Sequence, residues 1–227
     1  MLFENEFCLV LNKPHGLAVQ GGEGVKISLD SILWGKYSPR PLLVHRLDRD
    51  TSGVILVAKT KSAAASFSAL LASGATGGAK KNQAVIKQYL GVCAGIPRSP
   101  QGIIRQKLEV MGKPHGKLQE SLTHYRLLSV SVAAEVPCAA LELELGTGRM
   151  HQIRRHLAGI GHPLLGDDKY GDFSLNKKLK KTCGIKRMLL HALRLVIPPV
   201  LNLLPQGLDV SAPLPDYFSP FASNQTP

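Results

Sequence analysis

Apolar and polar positions along this chain follow two periods, and the period of two is the clearer one. The leucines and glutamates over 139–145 alternate strictly, which predicts a strand with one buried and one wet face. The apolar runs over 7–11 and 54–58 also predict strands, and the β-branched residues of the second run indicate a buried one. The segment 107–119 has the pattern of a hairpin with a basic tip over 113–117.

Helical spacing occurs in three further stretches. Ser28 offers an N-cap for a short helix, and the alanine-rich segment 61–71 predicts a longer one. A third helix is expected over 151–160, because Ile153, Leu157 and Ile160 share one face, and Gly161 follows as the stop. Its polar side is expected to present Arg154 and Arg155.

Many strands with a few interspersed helices indicate the α+β class. The chain shows no internal repeat and no linker that would separate independent domains. We therefore expect one domain over 1–219, built from two sub-domains that share one sheet, and a flexible tail over 220–227 that begins to fray near Phe218. The lysine-rich segment 174–187 is interpreted as a solvated connection.

Charge narrows the class of partner. The chain has 227 residues, of which 44% are hydrophobic and 19% charged, so it can bury a sizeable core. Lysine and arginine number 28 against 16 acidic residues, a formal net charge of +12. Such a balance says little about the fold but predicts attraction to polyanions, among which nucleic acid leads.

The cysteines and the chain start bear on the compartment. Cys8, Cys93, Cys138 and Cys183 are far apart in sequence and form no CxxC pair, so neither a disulfide framework nor a metal cluster is expected. The first residues lack the pattern of a signal peptide, and the apolar stretch 189–204 is interrupted by charged residues and prolines. We expect a soluble, cytoplasmic protein that does not bind membranes.

The stretch that organises the chain is 44–53, with Asp48 between Arg46 and Arg49. Thr51, Ser52 and a glycine supply turn chemistry before the buried strand. The flanking cations favour an ionised carboxylate, which could act as a nucleophile or base toward an anionic substrate. Taken alone, such an aspartate is more often a turn residue with a solvated ion pair.

Two later segments complete the candidate chemistry. Segment 146–157 follows a strand and opens a helix, so its backbone N–H groups and the guanidiniums of Arg149 and Arg154 can converge on one anion. That anion is either a phosphate or the carboxylate of Asp48. Segment 161–171 is rich in turns and contains Asp167 and Asp168, and we interpret it as a structural loop tied by side-chain bonds.

These segments carry a resemblance to a known family. His-Arg-Leu-Asp-x-x-Thr-Ser-Gly at 45–53 resembles the signature of the RluA-type pseudouridine synthases. The family's other blocks have similar counterparts, in order, at 12–16, 87–89, 148–157, 161–171 and 190–192. The resemblance runs from about residue 3 to residue 217. It implies the pseudouridine synthase fold, with a mixed, mostly antiparallel central sheet, flanking helices and a central active-site cleft.

The resemblance also implies roles for residues. Asp48 would be the catalytic carboxylate in the isomerisation of uridine to pseudouridine, Arg154 would pair with it, and Tyr89 would lie against the target uracil. Whether Asp48 attacks the ribose, attacks the base or removes a sugar proton stays open. No metal or organic cofactor is implied. Contact with RNA is expected from the following residues: His45, Arg46, Leu47, Arg49, Arg149, His151 and Gln152.

Several alternatives remain open. Asp48-x-Asp50 loosely mimics the acidic motif of haloacid-dehalogenase-type phosphatases, but arginines beside a Mg²⁺ site would repel the metal. A non-catalytic RNA-binding module would explain the net positive charge of the chain but not the position of Asp48 between two arginines. Within the family the expected substrate is 23S ribosomal RNA, with tRNA as the alternative, and the expected state is a monomer. Many relatives carry an S4-type RNA-binding domain first, and its natural absence here or its removal are both open.

Overall fold

A computed structural model describes residues 1–73, 84–110 and 117–221. By its contacts the chain divides into two compact units. Unit 1 comprises Met1–Lys87 and His191–Pro213, and unit 2 comprises Gln88–Leu190 with the described residues from Leu214 onward. No helix in the described part of the chain has the length and apolarity needed to cross a membrane.

Strands outnumber helices, as expected for the α+β class. In chain order the strands are β1 (Phe3–Glu4), β2 (Cys8–Lys13), β3 (Leu42–Leu43), β4 (Ser52–Ala58), β5 (Ile86–Ala94), β6 (Gln101–Glu109), β7 (Leu118–Ala133), β8 (Val136–Leu145), β9 (Leu190–Ile197) and β10 (Leu208–Ser211). The helices are α1 (Leu29–Lys36), α2 (Lys61–Ser73), α3 (Gln152–Gly159) and α4 (Phe173–Thr182), followed by a 3₁₀ helix over Asp216–Phe221. The predicted strands over 7–11, 54–58 and 139–145 and the predicted helix over 61–71 are confirmed.

The sheet of unit 1 is built around β4. This strand pairs antiparallel with β2 and with β3, and parallel with β9, where Ser52 lies opposite His191. Every residue of β4 is buried, as its continuous apolar run predicts. Helix α2 contributes the fully buried Phe67 to the same core. Helix α1 begins at the predicted cap, where Ser28 and Ser31 form a reciprocal capping box.

The sheet of unit 2 is an antiparallel run in the order β5, β8, β7, β6. Leu141 and Leu143 of β8 are fully buried while Glu142 and Glu144 are only partly so, which confirms the predicted alternation. The predicted hairpin is formed by β6 and β7, with Lys107 opposite Glu120. Its basic tip over 113–116 and the glycine-rich segment 74–83 lie outside the described residues.

Two predictions of irregular structure are wrong. The segment from Phe173 to Thr182 is a helix, because Leu179 and the partly buried Leu175 fall on one face and pack into the core of unit 2. Fraying does not begin at Phe218, since Phe218 and Phe221 are buried in that core. In both segments a few apolar residues pack into the core of unit 2. Their charged or proline-rich neighbours make this burial hard to predict from the sequence. Residues 222–227 lie outside the described range.

The predicted third helix is confirmed with a different end. It spans Gln152–Gly159, and Ile153 and Leu157 are buried as its spacing predicted. Ile160 does not belong to the buried face, because it lies at the C-cap and is 41% exposed. Gly161 follows with φ +81°, the left-handed conformation that commonly ends a helix.

Candidate active site

The loop before β4 presents Asp48 through a tight turn. The backbone N–H of Thr51 donates to the carbonyl of Asp48 at 3.1 Å, and Thr51 and Ser52 are buried. Gly53 then has φ +111°, and a Cβ at this position would lie 2.1 Å from the carbonyl oxygen of Ala192 on β9. Glycine is therefore required here both by the backbone angle and by the close approach of β9.

A buried lysine supports this loop from within unit 1. Lys13, which is 1% exposed, donates from Nζ to the carbonyl oxygens of Pro14 at 3.0 Å, Leu17 at 2.8 Å and Arg49 at 2.9 Å. Burial lowers the pKa of Lys13 to about 8, and the carboxylates of Asp50 and Asp48 partly offset that effect. The ammonium group thus joins the loop after β2 to the loop that carries Asp48.

The same two loops are also joined directly. The backbone N–H of Gly16 donates to the carbonyl of Arg49 at 2.9 Å, and Nε of Arg49 donates back to the carbonyl of Gly16 at 3.2 Å. Leu47 is buried, Asp48 is partly exposed, and Arg46 and Arg49 are exposed. The loop therefore anchors itself through Leu47 and its backbone, and presents a carboxylate between two solvent-facing guanidiniums.

Two histidines of unit 1, His45 and His191, form hydrogen bonds to β4, and the pKa of each is lowered. His45 accepts a hydrogen bond at Nε2 from the backbone N–H of Leu56 at 2.9 Å, and burial together with Lys87 lowers its pKa to about 3. His191 is fully buried, with Nδ1 at 2.9 Å from Oγ of Ser52, and burial lowers its pKa to about 4. Both rings therefore hold β4 in their neutral forms near pH 7.

In unit 2 the loop before α3 is shaped by Gln152, whose side chain is buried. Its Oε1 accepts hydrogen bonds from the hydroxyl of Thr147 at 2.6 Å and from the backbone N–H of Arg149 at 3.0 Å. Its Nε2 donates to the carbonyl of Leu122 at 2.8 Å and to Oγ1 of Thr123 at 3.0 Å. The amide thus fixes the backbone that presents the exposed Arg149.

His156 continues this network one helical turn later. Its Nδ1 lies 2.9 Å from Oγ1 of Thr123, and its Nε2 lies 2.7 Å from Oγ of Ser121, which donates to the carbonyl of Gln106. Because the Ser121 hydroxyl donates its proton to that carbonyl, it must accept from Nε2–H, and Nδ1 then accepts from Thr123. Burial lowers the pKa of His156 to about 4, which agrees with this neutral tautomer.

Arg154 is the centre of a buried ion pair. Its Nε and Nη2 donate to the two carboxylate oxygens of Asp167, both at 2.7 Å, and Nη2 lies 3.4 Å from Asp168. Asp167 also accepts the backbone N–H groups of Lys169 and Tyr170. Burial alone would raise the pKa of Asp167, but the bonds from Arg154 and from these N–H groups hold that pKa below its usual range.

An aromatic ring covers this pair. The guanidinium carbon of Arg154 lies 5.1 Å from the ring centroid of Tyr170. The hydroxyl of Tyr170 lies 3.0 Å from Nδ1 of His151, which has the left-handed φ of +53° at the N-cap of α3. Arg154 is 4% exposed, so the predicted polar side of the helix presents it to the carboxylate of Asp167 and not to solvent. Its bonds within unit 2 compensate its charge there.

The predicted site residues therefore fall into two groups. Asp48, with its flanking arginines, belongs to unit 1, whereas Arg154 and Tyr89 belong to unit 2. Tyr89 lies on β5 opposite Leu143, partly buried against the core of unit 2. The predicted pairing of Arg154 with Asp48 and the predicted RNA contacts of the loop residues stay predictions. The interpretation of 161–171 as a tied structural loop is confirmed by the bonds of Asp167.

Sequence reasoning missed the supporting residues. Lys13 and Asp167 both stand in segments with a predicted role, yet neither residue was assigned one of its own. The available signal was a charged residue at a turn: Lys13 precedes a Pro-x-Gly turn, and Asp167 lies between Gly166 and Gly171. Among the described residues, no three His, Cys, Asp or Glu side chains lie close enough together to hold a metal ion.

Comparison with known proteins identifies the family. The sequence model described as RNA pseudouridylate synthase matches residues 7–159, about two thirds of the chain. This chain belongs to that family. The predictions of an RluA-type pseudouridine synthase and of its α+β fold are thereby confirmed, and the phosphatase alternative is left without support.

Individual relatives agree with the family match. The chain is 38% identical over 195 residues to the mitochondrial RNA pseudouridine synthase 4 of Arabidopsis thaliana, covering 75% of this chain and 40% of that protein. It is 33% identical over 231 residues to the ribosomal large subunit pseudouridine synthase C of Rickettsia typhi, covering 96% and 69%. The structure of human RNA pseudouridylate synthase domain containing 1 is similar with a TM-score of 0.71 and 26% identity, covering 97% of this chain and 85% of that one.

Proposed function

We propose that this chain converts uridine to pseudouridine in large-subunit ribosomal RNA, with Asp48 as the catalytic carboxylate. The observation that carries the proposal is the loop of Asp48, in which a buried ammonium and a glycine-dependent turn present one partly exposed carboxylate between two exposed arginines. The choice of RNA rests on relatives whose names specify the ribosomal large subunit.

The reaction is an isomerisation and needs no electron donor or acceptor. The bond between C1′ and N1 breaks, a bond between C1′ and C5 forms, the proton on C5 leaves, and N1 ends with a proton. Because the uracil is detached during this exchange, the site must hold a free base and a reactive C1′ together. A carboxylate next to cations suits the first step, since it can act as a nucleophile or a base on an RNA substrate.

The substrate has to leave its stack before reaction. An enzyme that acts on a base extrudes it, at least cost from a loop or bulge. In the proposed arrangement Tyr89 lies against the freed uracil, and Arg154 keeps Asp48 ionised. Arg154 is well suited to a fixed role because Asp167 already holds one edge of its guanidinium, through Nε and Nη2, in a bidentate pair.

The residues expected to contact RNA divide by exposure. Arg46, Arg49 and Arg149 are exposed, and we assign them to phosphates or to the flipped nucleotide. Another group, His45, Leu47, His151 and Gln152, is buried or partly buried and holds the loops that carry these arginines. This division refines the proposal that all seven residues bind RNA. A cytoplasmic, monomeric protein stays a prediction.

The test is site-resolved pseudouridine mapping of total RNA from cells that lack the gene and cells rescued with variants. We expect one or more sites in large-subunit ribosomal RNA to disappear and to return with the wild type and not with Asp48→Asn. The matched control is Asp50→Asn, which removes the neighbouring carboxylate, located 3.7 Å from His15, and should restore the sites. Lost sites only in tRNA would assign the alternative substrate.

A purified-protein experiment separates activity from binding. Asp48→Asn should lower pseudouridine formation on ribosomal RNA by about a thousandfold or more, because removing a catalytic group costs several kcal/mol of transition-state stabilisation. Its affinity for the same RNA should stay within about threefold of the wild type, a difference of under 1 kcal/mol. Equal activity in both proteins would refute the role of Asp48, and binding without activity in the wild type would leave a non-catalytic module.

A further inference from the structure

Helix α4 carries an outward stripe that the proposed reaction does not use. Leu175 and Leu179 face the core of unit 2. Phe173, Lys177 and Lys181 follow one another at intervals of four residues on the opposite side, and all three are exposed. Lys180, three residues after Lys177, lies beside them and is also exposed. Phe173 and the three lysines therefore form one continuous strip along the helix, which we call the α4 stripe.

The charge of the α4 stripe is not balanced within the helix. No acidic residue occurs between Phe173 and Thr182. The adjacent Lys178 points elsewhere and pairs with Glu135. Asp172, at the N-cap, accepts the backbone N–H of Leu175 instead. The helix therefore offers Lys177, Lys180 and Lys181 as a positive surface, and its own sequence does not neutralise that surface.

Helix stability accounts for only part of this arrangement. Lys180 and Lys181 lie in the last turn, where cations interact favourably with the helix dipole. Lys177 lies in the middle of the helix and gains nothing from that effect. Phe173 is 66% exposed, so most of its ring is accessible to a ligand. Aromatic rings interleaved with cations are a recurrent surface for RNA, because bases stack on the ring and phosphates pair with the cations.

The helix is also joined to the loop of the buried ion pair. Asn176 on α4 accepts from the backbone N–H of Gly166 at 2.9 Å and donates to the carbonyl of Asp167 at 2.8 Å. Asp167 in turn holds Arg154. A ligand on the α4 stripe would therefore be positioned by a helix that is directly bonded to the loop organising a predicted catalytic residue.

We propose that the α4 stripe is a docking surface for RNA, in which the three lysines contact backbone phosphates and Phe173 stacks on an unpaired base. This inference rests on the proposed function, since it supplies a second contact for the same substrate. The lysines contribute affinity without sequence readout, because phosphate contacts carry no base information. The stripe would hold structured RNA while the target nucleotide is extruded elsewhere on the protein.

The experiment compares two triple variants that each remove three positive charges. The stripe variant is Lys177→Gln/Lys180→Gln/Lys181→Gln. The control variant is Lys178→Gln/Lys26→Gln/Lys36→Gln, which replaces exposed lysines off the stripe. Both are titrated with unmodified large-subunit ribosomal RNA made by transcription, at several KCl concentrations. Their circular dichroism and melting curves establish that both are folded.

We expect the stripe variant to bind about tenfold or more weakly than the control at physiological salt. The slope of log affinity against log salt should fall by about two, because each lost phosphate contact removes about 0.7 to 0.9 from that slope. The catalytic rate at saturating RNA should be unchanged. Phe173→Ala should weaken binding about fivefold or more without changing the salt slope, since stacking releases no counterions.

Equal affinity and equal slope in the two triple variants would overturn the proposal, because net charge alone would then explain RNA binding. The proposal also fails if the stripe variant binds RNA like the wild type, which would show that the stripe does not contact this RNA. Failure of the proposed function gives a different result: the stripe variant still binds RNA more weakly and with a smaller salt slope than the wild type, but neither protein forms pseudouridine.

Discussion

The loop of Asp48 and the network of Arg154 hold charged side chains in opposite ways. In unit 1 the ammonium of Lys13, which supports the loop, is buried at 1% exposure, whereas the carboxylate of Asp48, which the loop carries, is partly exposed. In unit 2 both partners are buried, since Arg154 and Asp167 are 4% and 0% exposed. The first arrangement fixes a backbone loop and leaves one carboxylate accessible, and the second fixes the side chain itself.

The difference has an energetic consequence. Lys13 bonds to three neutral carbonyls, so losing it leaves dipoles unsatisfied and no buried opposite charge. Losing Asp167 takes a bidentate, charge-assisted pair of hydrogen bonds away from a buried guanidinium, which is more costly. We therefore expect unit 2 to be more sensitive to a single substitution at its ion pair than unit 1 is at its lysine.

The largest effect is expected from Asp167→Asn. The substitution should lower the free energy of unfolding by about 3 to 5 kcal/mol, because Arg154 stays buried beside a neutral amide. Urea denaturation at pH 7 measures the change. Adding Arg154→Met to Asp167→Asn should recover part of the loss. A loss below about 1 kcal/mol for the single variant would mean that the buried pair is no stronger than an exposed one.

The next effect concerns Lys13 and depends on pH. Its pKa is lowered from 10.5 to about 8, so the unfolded chain binds the proton more tightly between these values. Burying the charged ammonium lowers the free energy of unfolding, and this cost is present in full below pH 8. As the pH rises from 8 to 10.5 the folded protein loses the proton first, and the free energy of unfolding increases on the order of 3 kcal/mol. Relative to Lys13→Met, the wild type should gain this amount between pH 8 and 10.5 in urea denaturation. Parallel pH profiles of the two proteins would contradict the assignment.

A smaller effect at acid pH compares buried histidines of the two units. The pKa values of His191 in unit 1 and His156 in unit 2 are both lowered from 6.5 to about 4. Their stabilisation is complete above pH 6.5 and is lost as the pH falls toward 4, by about 2 kcal/mol each at pH 5. His191→Gln and His156→Gln should each flatten the stability profile between pH 7.5 and 5 by that amount. An unchanged slope in either variant would show that the ring is accessible to protons in the fold.

The smallest effect is expected for an exposed ion pair, which serves as the reference for the buried pair of Arg154 and Asp167. Arg194 and Asp209 form a bidentate pair with the same geometry as Arg154 and Asp167, but their side chains are 41% and 52% exposed. Asp209→Asn should cost under about 1 kcal/mol, because water solvates both groups when the pair is broken. Measured beside Asp167→Asn, it isolates the contribution of burial. Equal losses in the two variants would remove burial as the cause.

How far the sequence predicted the site depends on the range of the interaction. The turn from Asp48 to Gly53 was predicted because short hydroxyl residues followed by glycine favour a turn in their own backbone, and its backbone bond and the positive φ of Gly53 confirm it. The hydroxyl of Ser52, however, lies 2.9 Å from Nδ1 of His191, which local pattern did not predict. The tied loop around Asp167 was predicted for the same reason, although Asp167 itself received no role. Lys13 bonds to a carbonyl 36 residues away, and no local pattern signals such a contact.

The omissions have a common physical origin. Helical spacing placed Arg154 on the polar side of the helix but did not show that this side is buried. The carboxylate of Asp167, on a separate loop, makes that burial favourable. Helix α4 was overlooked because two leucines among many lysines give a weak period until a core receives them. In both cases the deciding partner is remote in sequence or belongs to another element.

Local sequence patterns were enough to predict the α+β class, the strands β2, β4 and β8, the turn that carries Asp48, and the membership of the pseudouridine synthase family. These features depend on short-range backbone preference, on side-chain period and on contiguous motifs. The folded contacts were needed to show that Lys13 supports the Asp48 loop, that Asp167 compensates Arg154, and that Lys177, Lys180 and Lys181 of α4 are exposed. Such choices depend on burial and on long-range partners, because the free energy of a charged group is set by the atoms that replace its water.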